Sequence, residues 1–243
     1  MLTWPAPPHW RSWRHVTKLD PDRPLSQAAL DLVYQSGTDA ILIGGSTGMT
    51  MEAVSELLTR LQGAPLPVAL EVSTLASAIP GPDLFLIPLV LNAGETAWIG
   101  GAQAEALGKL LPHLAPVIPW DLLLPEAYLI LNPEATAARL TGAKTDLTPQ
   151  EAAAWGALAG RVWRLPLLYV EYSGRFGDLE LLRQVKEAAG PAHVVYGGGI
   201  KGAAEAALVA PWADTVVVGN LVYEAPELLA ETVSAVKETL LRH

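Results

Sequence analysis

Eight short apolar runs recur along the whole chain, at 15–20, 40–45, 67–73, 84–91, 127–132, 166–173, 193–198 and 215–220. Longer stretches of helical periodicity lie between most of them. Short runs rich in Val, Ile and Leu that alternate with helical patterns imply repeated βα units and a parallel sheet. Eight such units suit a (β/α)8 (TIM) barrel, an α/β architecture that runs to about 250 residues around one core. The chain has 243 residues, so 1–243 reads as a single barrel domain. Its 51% hydrophobic and 17% charged residues supply a packed core and give no reason to expect disorder.

The helical stretches carry recognisable ends. Thr148-Pro149-Gln150-Glu151 is a capping box with proline at the first helical position, where a missing N–H costs nothing. In the last segment Leu229, Val233, Val236 and Leu240 fall on one helical face, as in a helix packed on a barrel wall. One connection breaks the pattern. Residues 74–82 offer nine positions with two prolines between the third and fourth strands, too few for a crossover helix. The third barrel helix is therefore expected to be missing or replaced by an extended segment, leaving an apolar gap in the outer ring. A long apolar ligand fits such a gap; so does a cover formed by the Trp-rich N-terminus or by a partner subunit.

A formal charge of -9 with 16 Lys plus Arg argues against nucleic acid, which calls for concentrated positive charge. The absence of cysteine excludes disulfides, thiolate metal sites and Cys nucleophiles, and is compatible with a reducing compartment. The first residues carry Pro and Arg where a signal peptide needs an apolar run, and no segment gives about 18 uninterrupted apolar residues. The expectation is a cytoplasmic protein. With no basic amphipathic helix or lipidation signal, membrane contact is expected to be transient and peripheral, at the inner membrane face.

Functional groups of such a barrel gather where strands end and βα loops begin. On the sixth strand, period-two alternation sets Tyr169, Glu171 and Ser173 on one face and Val170 and Tyr172 on the other, before Gly174. A carboxylate inside a barrel needs a reason. Glu171 reads either as a general base or ligand for substrate hydroxyls, or as the ion-pair partner of an inward lysine. Lys18 and Asp20 share a face of the first strand, and again two readings stand: a salt bridge at the strand end, or a phosphate-binding lysine beside a hard oxygen for Mg2+. The run Pro21-Asp22-Arg23-Pro24 fits a stiff loop at the mouth. Glycines follow the second, seventh and eighth strands, at 44–45, 197–199 and 219. The last two loops are the usual phosphate cradle of this fold. The five histidines show no paired metal-ligand spacing and are given no catalytic role. The eight tryptophans read as packing or interface residues, because base stacking would need a basic groove.

These residues resemble the polyprenylglyceryl phosphate synthases, a family that includes archaeal geranylgeranylglyceryl and bacterial heptaprenylglyceryl phosphate synthases. The likeness rests on HVTKLDPDRP at 15–24, SGTDAILIGGSTGMT at 36–50, LEVS at 70–73, IPLVLN at 87–92, LILNP at 129–133, LYVEYSGRFGD at 168–178, VVYGGGIK at 194–201 and ADTVVVGN at 213–220. The mix is closer to the bacterial branch. The resemblance implies transfer of a polyprenyl group, C35 heptaprenyl by preference, from its diphosphate to the C3 hydroxyl of sn-glycerol 1-phosphate. An ether forms and pyrophosphate leaves, with Mg2+ as cofactor. It further implies that Lys18 contacts glycerol phosphate, that Asp20 and Ser46 hold Mg2+, and that the stretch Tyr169, Val170, Glu171, Tyr172, Ser173 and Gly174 grips the glycerol. Gly199, Gly219 and Asn220 take the phosphate, Glu171 and Tyr169 are the catalytic candidates, and a homodimer is expected. Ser46 stands where the family commonly carries Thr, which keeps the hydroxyl. Residues 92–98 and 100–102 are less family-like, and they are expected to border the prenyl groove, which leaves donor length open. Two other functions compete: a phosphate-binding barrel isomerase or aldolase, which needs neither metal nor groove, and a non-enzymatic barrel that binds polyprenyl lipids, indifferent to Glu171.

Overall fold

In the computed structural model, which describes residues 5–242, the eight runs form one closed, all-parallel barrel whose neighbours follow chain order. The strands are β1 (His15–Leu19), β2 (Ala40–Ile43), β3 (Val68–Glu71), β4 (Leu84–Val90), β5 (Leu123–Ile130), β6 (Leu167–Glu171), β7 (His193–Gly197) and β8 (Thr215–Val218). The barrel closes through β1 against β8, with Val16 opposite Val217. Each expected strand is present. The fifth begins four residues earlier than its apolar run, at Leu123 instead of 127.

Around the barrel lie α1 (Gln27–Gln35), α2 (Met51–Arg60), α3 (Gly101–Leu114), α4 (Thr136–Thr141), α5 (Pro149–Ala157), α6 (Leu179–Ala188), α7 (Ala203–Val209), α8 (Leu221–Glu224) and α9 (Leu229–Glu238). The capping box opens α5, with both its reciprocal hydrogen bonds made. Between β3 and β4 stands only a three-residue 3-10 turn, Leu75–Ser77, so the third barrel helix is missing. Two prolines in nine residues leave no room for the N–H ladder of a longer one.

Alternation sorts the strand side chains into two clusters. The outward residues, among them Ile41, Val170, Tyr172 and Val194, pack beneath the helices. Inward ones such as Val16, Leu42, Ala69, Tyr169 and Val195 fill the barrel. Trp10 and Trp13 pack on this inner cluster from the end where the strands begin, and Trp10 stands edge-on to His193 at 5.3 Å. The Trp-rich segment thus seals the base of the barrel and does not cover the gap between β3 and β4; Trp4 lies outside the described residues.

The final helix corrects one expectation. Leu229, Val233 and Val236 are buried, but α9 stops at Glu238 and Leu240 is 86% exposed. The cause is Arg14, whose guanidinium donates to the carbonyls of Ala213, Asp214, Val236 and Thr239. It satisfies the carbonyls left open at the helix end and turns the chain outward there.

Candidate functional site at the barrel mouth

The ends of the strands open into a cavity of about 360 Å³. Its floor is set by β5 and β6. Glu171, the last residue of β6, is only 2% exposed and accepts hydrogen bonds from the Tyr128 hydroxyl at 2.7 Å and from the Ser173 amide. Burial pushes the Glu171 carboxyl above its ordinary value, and Lys18, the Ser173 N–H and Tyr128 oppose that rise. Tyr128 and Tyr169 stack, with centroids 4.9 Å apart and planes 24° apart. Burial, and then the Glu171 charge, push both phenols well above their usual range, so Tyr128 stays protonated and donates. The Tyr169 hydroxyl occupies the space a Cβ on Gly197 would take, which makes glycine a steric requirement there.

Lys18 reaches across the floor to Glu71 on β3, at 2.8 Å, and lies 5.7 Å from the Tyr169 ring centroid. Burial alone would lower the Lys18 pKa; Glu71, followed by Glu171, outweighs it and holds the ammonium above its ordinary value. The pair can meet because Gly44 follows the intervening strand β2. A Cβ at that position would stand 2.9 Å from Lys18 Cε and 3.1 Å from Glu71 Cβ. Lys18 therefore pairs with Glu71 and not with Asp20, which lies beyond the strand end and turns its Oδ1 to the Asp22 amide at 3.0 Å. Glu171, for its part, is held by a phenol and an amide, and the direct lysine contact goes to Glu71.

Beneath this floor sits a third carboxyl. Glu126 on β5 is fully buried, and neither of its oxygens has a hydrogen-bond partner among the described residues. It borders a cavity of about 30 Å³ between the floor and the tryptophan seal. Burial, and then Glu71, raise its pKa well above the usual carboxylate value, which keeps it neutral.

One wall of the mouth is a tight turn after β1. Arg23 donates its amide to the Asp20 carbonyl at 3.1 Å, and the Asp20 amide donates to the Tyr223 hydroxyl at 2.8 Å. The Arg23 guanidinium lies 3.8 Å over the Tyr223 ring and donates to Asn220 Oδ1 at 2.8 Å. Burial raises the pKa of half-buried Asp20. Its carboxylate packs against Gly45, next to exposed Ser46. No cluster of three or more His, Asp or Glu that could hold a metal occurs among the described residues. A carboxylate and a hydroxyl fit Mg2+ of the kind that keeps waters and completes its shell with substrate phosphate.

Asn220 belongs to the same wall, and Ser173, Gly174, Gly199 and Gly219 line the cavity with it. The mouth thus gathers Lys18, Asp20, Ser46, Tyr169, Glu171 and these five. Val170 and Tyr172 do not line it. Their side chains belong to the outer layer, so only their backbone can face a ligand. Among the described histidines none lines the mouth; His15, held between Thr38 and Thr232, has its pKa lowered to about 3 by burial. Sequence reasoning missed Glu71, Glu126, Tyr128 and Tyr223. The Ala69/Glu71 alternation on the third strand was a usable signal for the first of these.

A family model described as PcrB family matches residues 8–240. The chain is 44% identical over 230 residues to a heptaprenylglyceryl phosphate synthase of Brevibacillus brevis, covering 95% of this chain and 98% of that one. It is 43% identical over 225 residues to a protein of the same name from Bacillus cereus, covering 93% and 96%. Among solved structures it is similar to (S)-3-O-geranylgeranylglyceryl phosphate synthase from Thermoplasma acidophilum in complex with the substrate sn-glycerol-1-phosphate, with a TM-score of 0.80, 26% identity and 94% of each chain covered.

Proposed function

The chain belongs to the PcrB family, and we propose that it transfers a polyprenyl group, heptaprenyl by preference, from its diphosphate to the C3 hydroxyl of sn-glycerol 1-phosphate. Glu171 carries the reading. A carboxylate with only 2% exposure, fixed by Tyr128 and the Ser173 amide at the floor of an open mouth, is placed to orient an alcohol and accept its proton. The donor carbon is allylic, so its bond to diphosphate loosens into a delocalised cation as the leaving group is stabilised. The acceptor oxygen then forms the new C–O bond, the electron pair of the old one departs with diphosphate, and the hydroxyl proton passes to Glu171.

Lys18 and the backbone of the loops at Gly199 and Gly219, with the Asn220 amide, suit the glycerol phosphate. Asp20 and Ser46 would hold Mg2+, which when bound would neutralise charge developing on the leaving diphosphate. The gap between β3 and β4 gives the apolar tail a way out of the mouth, bordered by the segment after β4 in which Trp98 packs on the inner cluster. Among the described residues no helix is long and apolar enough to cross a membrane. A cytoplasmic homodimer that meets its donor transiently at the inner membrane face completes the proposal.

The test is product formation from labelled sn-glycerol 1-phosphate with Mg2+ and prenyl diphosphates of increasing length, with sn-glycerol 3-phosphate as control. An ether specific to the 1-phosphate is expected, with a maximum near C35. Binding of glycerol phosphate without product from any donor would overturn the transfer reading and keep the cradle.

A further inference from the structure

Three cations line the mouth: Lys18, Arg23 and Lys201. Lys18 is engaged by Glu71. Arg23 and Lys201 make no ion pair among the described residues, although the protein carries a net charge of -9. An unpaired cation at the rim of a cavity in an acidic protein calls for an anionic ligand, and the two differ in how they are held. Lys201 is exposed and makes no side-chain hydrogen bond or ion pair among the described residues. Arg23 is half-buried, locked by its own amide to the Asp20 carbonyl, flattened on Tyr223 and anchored to Asn220 by one of its five N–H donors. Stacking and the anchor fix the plane of the guanidinium before any ligand arrives, which lowers the ordering cost of a two-point contact with phosphate oxygens.

Position narrows the ligand. Asp20, Tyr223 and Arg23 form one interlocked unit, since the Tyr223 hydroxyl takes the Asp20 amide while its ring carries Arg23. Asp20, which would hold Mg2+, and this guanidinium belong to the same turn. Asn220 offers its Oδ1 to Arg23, which leaves its amide N–H groups free to donate to a second ligand group.

We propose that Arg23, held on the Tyr223 ring, is the residue that receives the diphosphate of the prenyl donor and retains it as the leaving group; this rests on the proposed transfer reaction. No side chain is altered covalently. Arg23 offers N–H donors to oxygens that gain the electron pair of the broken C–O bond, so its contacts strengthen as the bond opens.

The measurement is calorimetric binding of magnesium pyrophosphate, and separately of sn-glycerol 1-phosphate, to the wild type and to Arg23→Gln, Arg23→Lys and Lys201→Gln. Loss of charge-assisted hydrogen bonds should weaken pyrophosphate by about ten- to hundredfold in Arg23→Gln. Glycerol phosphate should weaken by no more than about threefold, as only the Asn220 contact is lost. Arg23→Lys should recover part of the affinity, which also shows that the loss is not one of folding. Unchanged pyrophosphate binding in Arg23→Gln, equal losses for both ligands, or a larger pyrophosphate loss in Lys201→Gln would each overturn the inference. A wild type that binds pyrophosphate through Arg23 yet makes no ether keeps the inference and removes the reaction.

Discussion

Lys18 Nζ stands 2.8 Å from Glu71 Oε2, across the two neighbouring strands of β2 and directly beneath the mouth. Two further carboxyls, Glu171 and Glu126, bear electrostatically on the same ammonium. One cation thus sits among three acids in a low-dielectric interior, where Lys18 lowers and Glu71 raises the pKa of both Glu171 and Glu126.

Glu71→Gln leaves Lys18 without its direct partner. Removing one member of a buried pair is strongly destabilising, but Lys18 keeps 17% side-chain exposure and Glu171 nearby. The expected loss is about 2 to 3 kcal/mol, read from urea unfolding midpoints at constant m-value.

Glu171→Gln removes the proton acceptor and keeps the shape of the floor. Turnover should fall by about 10²- to 10⁴-fold, with little change in glycerol phosphate affinity. Equal losses in both would assign Glu171 to binding alone. The pH profile gives a second check. Because the folded pKa is raised above 4.5, the active carboxylate is lost as pH falls through that raised value, so the acid limb of kcat lies above pH 4.5. The residual activity of Glu171→Gln should lack this limb.

Glu126→Gln should stabilise the protein at neutral pH. The wild-type side chain is neutral when folded and ionises above about 4.5 once unfolded, so the folded state binds the extra proton. Wild-type stability therefore drops by about 1.4 kcal/mol per pH unit between the unfolded and the raised folded value, and Gln is exempt. The gain in thermal midpoint should grow as the pH rises from 4.5 toward the raised folded value; a constant difference would mean that Glu126 is ionised in the folded protein.

Asp20→Asn, or removal of divalent ions with a chelator, should abolish transfer and weaken pyrophosphate, with glycerol phosphate still bound. Restoration of chelated wild type by Mg2+, but not of Asp20→Asn, is the expected pattern in the same assay. Full activity after thorough chelation would remove the metal from the proposal.

Much of the fold is legible because each strand is a short apolar run between turn residues, and the missing helix is legible because Pro80 and Pro82 stand in a connection too short for one. The start of β5 is not. Pro125 lacks an N–H and reads as the end of a strand, so Glu126 falls outside the apolar run that begins at 127. The same gap hides the third acid of the interior. In the site, alternation alone places Tyr169 and Glu171 inward, since period two holds wherever the ladder is regular. What alternation cannot supply is partnership across strands. Lys18 meets Glu71 through the vacant side of Gly44, a relation between residues 53 apart. Leu240 fails for a similar reason: the periodicity continues past Glu238, but the stop comes from Arg14, at the other end of the chain.

Trp10 and Trp13 close the base of the barrel, so among the described residues Glu171 is approached from the mouth. In the proposed reaction acceptor, donor and both products share the opening at the strand ends, and the prenyl tail leaves it by the gap between β3 and β4. On that proposal the shared opening orders the traffic: the small acceptor would enter before the long donor lies across it, and the ether would leave after the pyrophosphate proposed to sit beside Arg23. Excess donor should then slow turnover at low glycerol phosphate by shutting the door on an empty chamber.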